Sequence, residues 1–154
     1  MKKLLYISII SSFLFSCGGG DGKSKIDQIK EQSKMEPADP YENWKENHGV
    51  GPIKAFTLPT EIDQDLALKG QEVYDAKCTA CHKAEKRFIG PSPKGILERR
   101  TPAWTMNMIL NPEEMVKNDP MAKQLLIDFN GSPMANQNLT EDEARAVLEY
   151  FRTL

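Results

Sequence analysis

Cysteine is scarce in this chain, with three among 154 residues. That removes one class of protein at once, because a disulfide-stapled secreted domain carries cysteines in larger, even number. Neither sign of charge dominates: 20 basic residues face 22 acidic ones for a net charge of -2. Nucleic-acid binding therefore has no electrostatic motive, and a mildly acidic surface points to a basic or neutral patch on any partner. Long apolar runs are missing. The longest, from Leu4 to Phe15, is too short for a bilayer span, which needs roughly 20 residues. No stretch alternates apolar and polar residues over strand length. There is no Ser–His–Asp set, no paired acid and base, and no substrate-sized group of convergent polar residues, so no substrate-converting site is expected.

The short apolar run follows Lys2 and Lys3 and ends Leu14-Phe15-Ser16-Cys17. A positive start, an apolar middle and a small residue before the break are the marks of a secretory signal. The last four residues resemble the lipobox of bacterial lipoproteins. That resemblance implies a signal peptide over residues 1–16 and a lipid-anchored Cys17, hence an exported chain held on a bacterial membrane, with its domain in the periplasm. Residues 17–40 are rich in Gly, Lys, Ser, Asp, Glu and Gln and predict a flexible tether. If fully flexible, such a segment spans roughly 25–30 Å root-mean-square.

Residues 41–61 differ in kind. Tyr41, Trp44, Val50, Ile53, Phe56 and Leu58 are too many large apolar side chains for a free tether, while Gly49, Gly51, Pro52 and Pro59 oppose a long helix. An extended arm laid over the following domain is expected. His48 lies in it and reads as a surface histidine, since no second metal ligand is near in sequence.

From residue 62 the pattern is helical. Leu66, Gly70, Val73 and Tyr74 fall on one face. Thr101-Pro102, Asn111-Pro112 and Asp119-Pro120 each pair a capping side chain with a proline at the first helical position, and Gly131 suits a helix end. Thr140 with Glu143 forms a capping box ahead of an apolar stripe through Ala144, Val147, Leu148 and Phe151. The domain is expected to be all-α and free of internal repeats.

The two remaining cysteines stand in Cys78-Thr79-Ala80-Cys81-His82. Zinc needs four ligands, and His82 directly after Cys81 is badly placed to share a tetrahedron with His48. A thioredoxin-type pair belongs in a βαβ unit, of which there is no trace. The order Cys-x-x-Cys-His answers instead to haem attachment: two thioether bonds fix the porphyrin edge, and the adjacent His82 falls beneath the iron.

Residues 62–154 resemble the class I cytochrome c family, which is all-α and wraps one covalent haem c. Gly70, Tyr74 and Cys78 reproduce the family's spacing of glycine, aromatic and first cysteine, and Val147, Tyr150 and Phe151 look like the last-helix partner. Gly90-Pro91 also matches; the resemblance implies that the Pro91 carbonyl accepts from His82. Five methionines follow the motif. Met134 alone lies in a non-helical stretch, from Gly131 to Leu139, just before the last helix, where the family places its sixth iron ligand; Met121 and Met115 are the reserves, and Met106 and Met108 sit inside a helix. Here Pro133 precedes Met134 and Ala135 follows it, whereas the family often has proline after the methionine. Arg99, Arg100 and Trp104 are, by the same resemblance, candidate donors to the haem propionates.

The expected function is single-electron transfer between respiratory redox proteins, such as a reductase, an oxidase or a quinol-oxidising complex. Two other readings stand beside it. One is a permanent haem subunit of an oxidase or reductase complex. The other is a haem peroxidase or gas sensor, which requires an iron that Met134 does not ligate.

Overall fold

The computed structural model describes residues 39–154. The signal segment 1–16, Cys17 and the tether up to residue 38 lie outside the described residues. Among the described residues there are five α-helices, one 3₁₀ turn and no strand.

Helix α1 spans Gln64–Lys77. Asp63 caps it by accepting from the Leu66 amide, an acidic residue sits in the first turn and a lysine in the last, all favourable to the helix dipole. Its buried row is Ala67, Gly70 and Tyr74, with Leu66 and Val73 only half-buried. The sequence reading placed Gly70 and Tyr74 on the inner face but passed over Ala67. The reason is the tightness of the crossing with the last helix, α5 (Glu141–Phe151). A Cβ on Gly70 would lie 1.9 Å from the Ala146 carbonyl oxygen, so only small residues fit along that seam. Beyond the glycine the gap is filled by aromatics: the Tyr74 ring lies 5.3 Å from that of Tyr150 and 5.8 Å from that of Phe151, the latter edge-on, both favourable separations.

Between these two helices the chain runs through a 3₁₀ turn, Ile96–Glu98, and three short helices: α2 (Pro102–Leu110), α3 (Pro112–Asn118) and α4 (Pro120–Asp128). Each starts on proline behind a capping side chain: Thr101, Asn111 and Asp119 accept from the amides of Trp104, Glu114 and Ala122. A proline supplies no amide to the preceding turn and pushes its predecessor out of helical geometry. Residues 102–128 therefore fold as three bent-away segments and not as one rod. The opening of α5 carries the complete capping box of Thr140 and Glu143.

Two apolar clusters flank α2. Met106 and Ile109 pack with Ala144, Val147 and Leu148 of α5, and Ile53, Phe56 and Leu58 of the arm lie against them. Trp104 packs with Met115, Met121 and Ala122, covered by Tyr41, Trp44 and Val50. The arm is thus spread over both clusters. Polar clamps fix its path. The buried Asn107 amide donates to the carbonyls of His48 and Ile53 and accepts from the Ile53 amide. Asp119 accepts from Asn47 at 2.7 Å and from the Trp104 indole at 3.0 Å. His48 itself is exposed. Neither clamp was legible in advance, because each joins residues more than fifty positions apart.

Candidate functional site

The backbone at the end of α1 turns once more through the motif. Cys81 and His82 both donate their amides to the Cys78 carbonyl. This keeps Cys78 and Cys81 one helical turn apart, with His82 beneath them. Burial and then the neighbouring Cys81 push the Cys78 thiol up to about 11. A raised thiol is the reverse of the activated cysteine that disulfide exchange favours, so Cys78 is not poised as an attacking thiolate.

His82 is held from two sides. Its Nδ1 lies 2.8 Å from the Pro91 carbonyl oxygen. A carbonyl can only accept, so Nδ1 carries the proton and Nε2 keeps its lone pair for a metal. Its backbone carbonyl accepts from the Tyr74 hydroxyl at 3.0 Å. Burial raises that phenol, with the first cysteine adding to it, to about 12, so it stays a donor. Gly90 lies flat against the imidazole: a Cβ there would meet Cε1 at 2.4 Å. Its amide donates to the Cys81 carbonyl, which closes the loop back on the motif. Sequence reading singled out Gly90 with Pro91; its role as the surface on which the ring rests comes from the structure.

His82, Cys78 and Pro91 open into one cavity, itself open to solvent and lined mainly by apolar side chains from every helix. Met134 lines it too, half-buried in an irregular stretch between α4 and α5. So does Met108, from within α2. Met115 and Met121 are fully buried in the Trp104 cluster and Met106 in the α5 cluster; none of the three lines the cavity. The Met115 sulfur accepts from the Val50 amide at 3.0 Å, which commits it to the arm.

The cytochrome c family model matches residues 67–154. The chain belongs to the cytochrome c family. Among solved structures it is similar to cytochrome c from Rhodothermus marinus, at 42% identity over 67% of this chain and 88% of that one, with a TM-score of 0.64. An engineered cytochrome c from the same organism matches at 39% identity over 75% of this chain and 96% of that one, with a TM-score of 0.65. The same engineered protein bound to a carbene intermediate gives 0.62 at the same identity. No curated protein matches the chain. Family membership implies a covalent haem c and electron transfer.

The residues of this cytochrome c fit that group on their own evidence. The cavity is apolar, Cys78 lines it with the exposed Cys81 one turn further along the chain, and one ring nitrogen is available. A further observation concerns charge. Arg100 lines the cavity at 6% exposure, and its Nε is buried without a partner. Among the described residues its one hydrogen bond goes to the Arg99 carbonyl. Burial works against the cation, with Tyr41 and Asp119 offsetting part of it, yet a guanidinium does not deprotonate in proteins, and a buried charge without a hydrogen-bonded counter-ion is costly. An anion inside the cavity, such as a haem carboxylate, relieves that cost.

The other two candidate donors have different work. Arg99 donates to the carbonyls of Ser92 and Lys94, stapling the loop that follows Pro91. The Trp104 indole N–H is taken by Asp119, so this side chain offers the cavity a ring and no donor. Of the trio expected at the propionates, Trp104 has its one N–H taken, whereas Arg99 keeps further N–H donors beyond these two and lines the cavity beside Arg100.

Proposed function

We propose that this cytochrome c is a single-haem electron carrier, tethered to a bacterial membrane outside the cytoplasm, that passes single electrons between respiratory redox proteins. The observation that carries the reading is the meeting of His82 and Met134 on one apolar cavity, with the histidine already oriented by Pro91. Cys78 and Cys81 would hold the haem covalently, and His82 and Met134 would ligate its iron. The haem supplies a one-electron couple; a histidine–methionine pair keeps coordination constant across it and raises its potential. The chain's own work is to fix the imidazole, exclude water and offer the Arg100 charge. The tether rests on Cys17 and on the signal-like segment before it.

The apolar residues of the arm bear on carrier against permanent subunit. Trp44, Val50, Ile53, Phe56 and Leu58 pack on the chain's own clusters and leave little apolar arm surface for a partner, which favours the carrier. A potentiometric titration with visible spectra tests the reading. One reversible one-electron step is expected, with the near-infrared band of iron–thioether ligation present in the native protein and absent from Met134→Ala. If Met134→Ala keeps the band, Met134 is not the ligand. Rapid carbon monoxide binding by the reduced native protein would select the open-iron reading, a peroxidase or gas sensor, instead.

A further inference from the structure

The arm makes one contact that neither its packing nor the axial ligands require. Tyr41 crosses to Arg100, its ring centroid 4.7 Å from the guanidinium carbon, while Trp104 covers the guanidinium at 5.1 Å. The cation is therefore in contact with two aromatic rings, each at a favourable cation–π distance. Tyr41 is itself anchored: its hydroxyl donates to Asp128, the last residue of α4, at 2.6 Å, and its amide donates to the Asp39 side chain. Arg100 is more than nine-tenths buried, and its Nε has no partner in the protein.

We propose that Tyr41 is a positioning residue for the reduction potential: the N-terminal arm holds the Arg100 guanidinium in the cavity wall, and so fixes the positive charge that a haem carboxylate meets there. The inference rests on the haem reading above and adds to it a part for the arm. The physical argument concerns charge alone. Each cycle takes one electron from a donor protein and gives one to an acceptor protein, so the reduced site holds one more negative charge than the oxidised site. A guanidinium fixed against the carboxylate cancels a negative charge close to that added electron. Released into water, it leaves the carboxylate uncompensated, and the oxidised form gains.

The test is equilibrium potentiometry on the full chain with its haem attached. Arg100→Gln is expected to shift the equilibrium about tenfold toward the oxidised form, ~59 mV for one electron. Tyr41→Ala is expected to shift it in the same direction by a smaller factor, and to add nothing in the Arg100→Gln background. That loss of additivity separates action through Arg100 from a general loosening of the fold. Should Arg100→Gln fail to fold, Tyr41→Phe against Tyr41→Leu decides the matter without touching the arginine. Phenylalanine keeps the ring face and a near-native potential, whereas leucine, which has no π face, lowers it.

An unchanged potential in Tyr41→Ala, an equal shift in both backgrounds, or equal potentials for phenylalanine and leucine would each overturn the proposal. The native protein's near-infrared band reports separately on iron ligation. If the band is present and Tyr41 has no effect, this inference falls and the haem reading stands. If the band is missing from the native protein, the axial assignment itself has failed.

Discussion

His82 and Pro91 are nine residues apart, and the hydrogen bond between them decides what the imidazole can do. With Nδ1 donating, the ring can neither rotate freely nor exchange tautomers, and Nε2 is left for iron. Gly90 presses on the same ring, so the ring's orientation is over-determined. Away from the cavity, the most consequential single residue is Glu149. It is fully buried, accepts from the Asp63 amide at 2.9 Å and pairs with both Arg145 and Arg152. Arg152 in turn donates to the carbonyls of Pro59, Thr60 and Glu61, so this carboxylate ties the start of α1 to the end of α5. Burial pushes the Glu149 carboxyl up, but the Asp63 amide and the two arginines outweigh it and hold it below the ordinary 4.5. A lowered folded value means the contribution is complete above the ordinary carboxylate range and disappears as pH falls through the folded value. Glu149→Ala should cost about 3–5 kcal/mol near neutrality, the usual cost of breaking a buried pair. In urea titrations the gap from the native protein should narrow below about pH 4.5. A gap constant down to pH 3 would show that the loss is one of packing.

At the scale of elements, the domain depends on one crossing and three interruptions. The crossing of α1 on α5 is closed at Gly70, where any Cβ would strike the Ala146 carbonyl. That atom belongs to a helix backbone and cannot rotate away. Gly70→Ala should therefore force the helices apart and destabilise by about 3 kcal/mol, the upper part of the range for overpacking. A drop in thermal midpoint together with weakened near-ultraviolet dichroism from Tyr74 and Tyr150 would register it; an unchanged midpoint would mean the crossing is slack. The interruptions are the three cap-plus-proline pairs that begin α2, α3 and α4. These were legible in the sequence because a cap and a proline act within four residues of each other. The three-dimensional consequence was not: which side of each short helix meets the cavity depends on the partners, not on the cap. Thus Met108 and Met134 line the cavity while Met106, Met115 and Met121 are packed elsewhere, although all five are equally apolar in the sequence.

For the whole molecule, the described residues form a helical shell around an apolar cavity lined from every helix, with the arm laid over both apolar clusters. Among the described residues no helix is long and apolar enough to cross a membrane; the proposed attachment rests on Cys17. Expression in a bacterial host with a clickable fatty acid should label the native protein and not Cys17→Ala. Label that survives the substitution, or a native protein without label, would remove the anchor. Two or more acyl chains would hold such a protein stably, since each buried methylene contributes about 0.8 kcal/mol.

The sequence by itself determined what acts over one or two helical turns: the Cys78-Cys81-His82 turn, the starts of α2, α3, α4 and α5, and the Gly70-Tyr74-Cys78 row. These follow from i to i+4 geometry, capping and the missing amide of proline, and a neighbour in the chain is a neighbour in space. The tertiary structure alone decided which donor keeps a free N–H at the cavity. Arg99, Arg100 and Trp104 are equivalent candidates in one dimension. Asp119 takes the indole proton, Ser92 and Lys94 take two of the N–H groups of Arg99, and Tyr41, fifty-nine positions upstream of Arg100, braces the remaining guanidinium. Long-range pairing is set by how closed surfaces fit and by which buried polar groups remain to be satisfied, and no local pattern encodes it.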